Sequence, residues 1–302
     1  MSNDKKIPDC VGPVAVPTTP SWKAPAGSWD TIFHVLGPQD RYPYWPQRLY
    51  TPPTATLEQY FAMLDVFGID NAMVAHATTQ GPGNDIYLGA TASAQERLVA
   101  VIRLDETLTA LEARRLHERG VRGTRFGFHP MAGGKFNKAA LEHVVKVTAD
   151  LGWFVQMHVD SRLLPQLQSW IASIPANVVL DHYGRVDISE GMEGESVRIL
   201  LELARLPHVW IKLSGADRVS LKGYPYDDLK PLATALVETA TGRLLWGSDW
   251  PHTGYFRAED MPDDGLLFEA FIRLVPNEDD RVRILRDNPR RLLGLAPDSA
   301  GT

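Results

Sequence analysis

The sequence holds a single cysteine, Cys10, among 302 residues. A disulfide framework within one chain is thereby excluded. Positive charge is also scarce: Lys and Arg total 31 against 37 Asp and Glu, a formal net charge of -6. Nucleic-acid surfaces ordinarily rest on a basic excess, so no nucleic-acid partner is expected. No apolar run approaches the ~18 residues of a membrane span. Met1 to Cys10 is polar and lacks the apolar segment of a secretory signal. The expectation is a soluble, cytoplasmic protein with no membrane partner. Two catalytic signatures are missing as well. Gly37 is followed by Pro38, so no G-x-G-x-x-G phosphate loop succeeds the first strand-like run. No G-x-S-x-G elbow occurs anywhere, which argues against a serine nucleophile.

What is present is an alternation. Pro8, Pro13, Pro17, Pro20 and Pro25 break up the first 27 residues, and this predicts an arm on the surface. The run WDTIFHVL (29–36) reads as a first strand. A long loop with Tyr42, Tyr44, Trp45 and Tyr50 follows it. Leu57, Tyr60, Phe61, Leu64 and Phe67 then recur at helical spacing and stop at Gly68. Further strands are predicted at 71–77, 98–104, 124–128, 153–159, 178–181, 209–213 and 244–247. Between them helices are predicted at 85–95, 107–119 (with Thr107 as N-cap), 138–150, 163–174, 195–205 and 226–241. A last helix over 279–293 bends at Asn288-Pro289. The strands are short continuous apolar runs, as expected when both faces are buried. Eight strands each followed by a helix, with no domain-sized linker, predict an α/β fold of the (β/α)₈ TIM-barrel type. One barrel domain would span 28–295, between the arm and a tail at 296–302. An open doubly wound sheet is the alternative, disfavoured by the missing phosphate loop.

A barrel places its chemistry at the C-terminal ends of the strands. The polar residues falling there are His34; Thr78, Thr79 and Gln80; Arg125; His158 and Asp160; Asp181, His182 and Arg185; Lys212, Ser214 and Arg218; and Ser248, Asp249 and His252. Histidines from three strands and an aspartate from a fourth can converge on one point. Such a set can activate water, either as a base or around a metal ion. His117, His143 and His208 fall on helices or a connection and read as structural.

Several of these stretches carry a resemblance. Asp30-Thr31-Ile32-Phe33-His34 is similar to a degraded Asp-x-His-x-His motif of the amidohydrolase superfamily. The runs Leu180 to Arg185 (LDHYGR) and Trp246 to His252 (WGSDWPH) resemble its lactonase branch, that of 2-pyrone-4,6-dicarboxylate lactonases and 4-sulfomuconolactone hydrolases. Arg122 to Phe126, Pro262 to Gly265 and Asn288-Pro289 fit that branch too. The resemblance implies an enzyme that hydrolyses an anionic lactone in aromatic-compound degradation, with a sulfonated muconolactone as the best single substrate and a carboxylated or pyrone type beside it. Asp249, His182 and His34 would be catalytic. Arg125, Arg218, Thr78, Thr79, Ser214 and His252 would bind substrate. Zinc, if held, would sit on His34, His158, His182 and Asp249. Two departures matter. Ile32 stands where the superfamily has a metal-binding histidine, which leaves the zinc site open to question. Gly127-Phe128-His129-Pro130-Met131 lacks the basic residue expected soon after Arg125-Phe126, so a dicarboxylate pyrone fits less well than a sulfonate. The competing readings are a sugar-lactone isomerase of the same superfamily and an inactive barrel that binds an acidic ligand.

Overall fold

The computed structural model describes residues 7–128 and 137–296. Eight strands run in parallel: β1 (Trp29–Phe33), β2 (Asn71–Ala75), β3 (Leu98–Ile102), β4 (Val121–Phe128), β5 (Phe154–Val159), β6 (Val178–Leu180), β7 (Val209–Leu213) and β8 (Leu244–Trp246). They are ordered β1 to β8 in one sheet, each paired with its sequence neighbour. The seam between β8 and β1 closes by other bonds. Thr31 Oγ1 donates to Trp246 O at 2.6 Å, Asp249 N to Ile32 O at 3.0 Å and His34 N to Trp250 O at 2.8 Å. The result is a nearly closed (β/α)₈ barrel.

The helices are α1 (Leu57–Phe67), α2 (Asp85–Ser93), α3 (Ala110–Glu118), α4 (Lys138–Thr148), α5 (Leu164–Ser173), α6 (Glu195–Ala204), α7 (Ala216–Val219), α8 (Lys230–Ala240), α9 (Asp264–Leu274), α10 (Glu278–Val282) and α11 (Asn288–Leu292). Two differ from the sequence expectation in an informative way. α3 is capped by Thr109, whose side chain accepts from Glu112 N, while Thr107 turns back onto Asp105. Both threonines can cap, and the one adjoining the apolar stripe wins. α9 was not foreseen: Asp263 caps it through Gly265 N and Leu266 N. The final helix does break, through a π-turn at 283–287, and Asn288 Nδ2 donates to Leu244 O there at 2.7 Å.

Inside the barrel, Trp29, Met73, Val101, Phe154, Val179, Trp210 and Leu245 form one buried cluster closed by Leu292 of α11. Large apolar side chains therefore plug the N-terminal half of the barrel. Above them the interior turns polar with buried Gln156, Asp181 and Lys212, and the strands open to their functional end. Among the described residues no helix is long and apolar enough to cross a membrane.

Candidate active site

The backbone just past β6 and β8 is unusual. His182, Tyr183 and Arg185 have φ of 54°, 52° and 53°, and Asp249 and His252 have φ of 64° and 57°. Left-handed backbone is costly for residues with a β-carbon and gathers where function needs it. Here it turns side chains over the barrel mouth. Gly215 makes room beside them. A Cβ on it would stand 2.9 Å from His182 Nδ1, and its φ of +63° disfavours any side chain.

Asp249 is the centre of the arrangement. Its Oδ1 lies 3.5 Å from His34 Nε2 and 3.6 Å from His182 Nε2, and its Oδ2 lies 3.7 Å from an Arg218 guanidinium nitrogen. Each histidine is anchored at its far nitrogen. His34 Nδ1 meets the Ala75 carbonyl at 2.8 Å, so that nitrogen carries the proton and donates. His182 Nδ1 meets Ser214 Oγ at 2.9 Å. Burial alone would raise the Asp249 carboxyl. His182, His34 and Arg218 outweigh it and hold the group well below the usual carboxylate range. Burial also pushes His182 down to about 4, against the pull of Asp249 and Asp181, so its imidazole is neutral at neutral pH.

Under this centre lies a buried ion network. Asp181 Oδ1 lies 3.1 Å from Lys212 Nζ. Its Oδ2 accepts from Arg125 at 3.2 Å and from Gln156 Nε2 at 3.0 Å. Lys212 Nζ also donates to Thr31 O at 2.9 Å, and Arg125 to His76 O at 2.6 Å. Burial opposes the charge on Asp181, but Lys212 and Arg125 prevail and hold its carboxyl far below the ordinary value. A second buried acid ties the β1–β8 seam. Asp30 accepts from Ile32 N, Ser248 N, Ser248 Oγ and Tyr60 Oη at 2.6 to 3.1 Å. Even so, burial pushes its pKa up to about 6.

His34, Tyr50, Thr78, Arg125, His158, His182, Arg185, Arg218, Asp249 and Thr253 line a cavity of about 90 Å³. A neighbouring cavity of about 150 Å³ shares Thr78, Arg125 and His158 and adds His76 and Arg103. The structure thus brings together His34, Thr78, Arg125, His158, His182, Arg218 and Asp249. Three other candidates lie off the wall. Ser214 stands behind His182 as its hydrogen-bond partner. Thr79 is buried, and its carbonyl accepts from Trp45 N at 2.7 Å. His252 is wholly buried and bonds Asp264 at 2.8 Å. His129 lies outside the described residues.

Sequence reasoning placed Arg185 at a strand end without giving it a role, and it assigned none to Tyr50, Thr253 or the Asp181–Lys212 pair as a unit. Arg185 is half-buried and, among the described residues, makes no hydrogen bond or ion pair. Its place five residues past β6 was a usable signal. Tyr50 belongs to the long aromatic loop after β1. Its hydroxyl meets Thr253 Oγ1 at 2.9 Å on the cavity wall.

A zinc centre would need His34, His158, His182 and Asp249 to converge on one point. Two imidazole Nε2 atoms flank one carboxylate oxygen, yet among the described residues no group of three or more His, Cys, Asp or Glu side chains is placed to hold a metal ion. Ile32 contributes only methyls, packed against Gly247. The positive charge nearest to Asp181 is Lys212, an ammonium rather than a metal. His158 and His182 meet edge to face with ring centroids 5.3 Å apart. As placed, these side chains do not fit a zinc centre.

Comparison with known proteins follows the same outline. The family described as Amidohydrolase matches residues 29–295. Over 290 residues the chain is 42% identical to a 4-sulfomuconolactone hydrolase of Rhizobium radiobacter, covering 96% of this chain and 97% of that one. It is 38% identical to another 4-sulfomuconolactone hydrolase, from Hydrogenophaga intermedia, with 97% of each covered. Among solved structures it superposes on an apo Agrobacterium tumefaciens protein with a TM-score of 0.82 at 28% identity, covering 92% of this chain and 99% of that one.

Proposed function

Because the chain belongs to the amidohydrolase family, we propose that its cavity hydrolyses an anionic lactone, with a sulfonated muconolactone as the best single substrate. The observation that carries the reading is the placement of Asp249, one oxygen between two histidine Nε2 atoms and the other facing Arg218. A buried carboxylate kept ionised beside two imidazoles and the guanidinium groups of Arg218 and Arg185 suits attack of water on an ester whose other end is acidic.

The steps follow from the hydrogen bonds. His34 donates from Nδ1 to Ala75 O, so its Nε2 offers a lone pair. A water between His34 Nε2 and Asp249 Oδ1 can give a hydrogen bond to each. Asp249 takes its proton as the oxygen attacks the lactone carbonyl carbon. Ser214, donating to His182 Nδ1, sets the tautomer with the proton on Nε2, and that N–H supports the developing oxyanion. Collapse breaks the bond to the ring oxygen, and Asp249 returns the proton there. The product is an open-chain acid with one new carboxylate. Arg218 and Arg185 hold the substrate's acidic groups, with Tyr50, Thr78 and Thr253 as hydroxyl donors. Arg125 faces the same space but is already bonded to Asp181, so it acts from a fixed position. No step is assigned to zinc, since the donor set does not fit one.

The test is a screen of sulfonated and carboxylated muconolactones, following loss of lactone absorbance and release of acid together. Hydrolysis releases one proton equivalent per lactone. Loss of lactone without acid release would indicate isomerisation, and binding without turnover an inactive barrel. Either result overturns the reading.

A further inference from the structure

The segment from Ile7 to Gly27 is not used by the chemistry above, yet its bonds are specific. Cys10 N donates to Thr51 O at 2.8 Å and Thr51 N to Pro8 O at 2.8 Å, a parallel bridge to the loop after β1. One residue on, Val11 N donates to Tyr255 O at 3.0 Å, in the loop after β8. Gly254 N donates back to Cys10 Sγ at 3.3 Å. Four consecutive residues, Pro8 to Val11, therefore bridge the two loops.

Those two loops supply one wall of the cavity. Tyr50 and Thr253 meet there at 2.9 Å. Thr253 O accepts from Arg218 at 3.0 Å, and the Arg218 guanidinium stacks over the Tyr255 ring at 4.6 Å. Tyr255 Oη in turn bonds Asp217, which pairs with Arg218 at 3.1 Å. Of the groups around Arg218, Thr253 adjoins Gly254, which donates to Cys10, and Tyr255 itself accepts from Val11, while Asp217 and Asp249 lie outside the clamp.

We propose that Pro8 to Val11 is a positioning element for substrate binding, clamping the Tyr50 and Thr253–Tyr255 loops so that Arg218 points its guanidinium at the substrate's acidic group. The proposal rests on the lactonase reading for the identity of the ligand but not for the clamp itself. The clamp contacts no reacting atom. Loosening it therefore weakens anion binding and spares the water-attack step.

The experiment compares Val11→Pro, which removes the N–H given to Tyr255, with Thr18→Ala. Thr18 anchors the same segment further along, through Asp263 at 2.8 Å, away from the cavity. Loss of one such bond corresponds to about a five- to tenfold change. Val11→Pro is expected to raise KM for a sulfonated lactone by that factor, with kcat within about twofold and little change for the uncharged methyl ester. Thr18→Ala is expected to lower the melting temperature and leave both constants alone. If Val11→Pro fails to fold, Cys10→Ala, which removes the Gly254 acceptor, carries the test with a smaller rise. Should wild-type protein turn over no lactone, calorimetric affinity for a sulfonated muconate reads the clamp separately. An unchanged KM or affinity, an equal effect on the charged and uncharged lactones, or no binding by either protein overturns the proposal.

Discussion

Asp181→Asn is the sharpest test of how the site is held. The carboxylate is wholly buried and faces two cations, Lys212 at 3.1 Å and Arg125 at 3.2 Å. Lys212 is 1% exposed and Arg125 9%, so neither can turn to bulk water. The amide keeps the shape and can still accept one hydrogen bond, but it leaves two buried positive charges without a counterion. Breaking a buried pair in this way costs about 3–5 kcal/mol. For a chain of this size, at about 2 °C per kcal/mol, the melting temperature should fall by roughly 6–10 °C. The loss should also depend on pH. Asp181 titrates in the folded protein far below its unfolded value. Its stabilisation is complete above the unfolded pKa of about 4 and disappears as pH falls through the lower folded value. Wild type and variant should therefore differ most near neutral pH. Thermal melts followed by circular dichroism at pH 7 measure this. A fall of less than about 3 °C would refute the argument, because Lys212 and Arg125 would then be satisfied without Asp181. Adding Lys212→Met to the variant should recover part of the loss, since one stranded charge is removed.

Four further outcomes are expected. Asp249→Asn should lower kcat by about 10²- to 10⁴-fold while still binding an anionic lactone, read by steady-state kinetics and calorimetry. Arg185→Gln should raise KM for the anionic lactone about ten- to hundredfold with a smaller effect on kcat, because it removes a charged donor with no other partner among the described residues. Stability should rise with pH between about 4 and 6.5: burial lowers His182 to about 4 and His76 to about 3, so the unfolded chain binds the extra protons there, and the opposing shift of Asp30, up to about 6, is smaller. Dialysis against a chelator should leave activity unchanged; a loss restored by zinc would show that the donors rearrange around an ion.

Much of this architecture was legible because burial leaves a mark on composition. Runs such as VVL at β6 and VWIKL at β7 are covered on both faces, so they read as strands without alternation. The convergence of His34, His182 and Asp249 followed from strand order alone, once eight strands were counted. What stayed hidden has physical causes. Ser214 and His252 sit at strand ends, as substrate groups would, but one hydrogen bond each, to His182 and Asp264, commits them elsewhere. Lys212 reads as a polar strand-end residue, and its pairing with Asp181 depends on the β6–β7 register, which sets Leu180 beside Ile211 and so Asp181 beside Lys212. The left-handed backbone at His182, Arg185 and Asp249 gives no local signal, because none of these is glycine.

Against its burial, His182 and His34 do most to hold Asp249 ionised, and the Arg218 guanidinium, 3.7 Å away, adds to them. An acidic substrate that pairs with Arg218 and Arg185 partly neutralises those charges at the moment it binds. Asp249 is then left with less positive charge around it, and its affinity for a proton rises. On the proposed reading the substrate's own anionic group tunes the base that attacks it. An uncharged lactone of the same shape would bind beside a base still pinned by Arg218. Selectivity for acidic lactones would then show in kcat as well as in KM, whereas Val11→Pro keeps both the guanidinium and the substrate's charge and so moves KM alone.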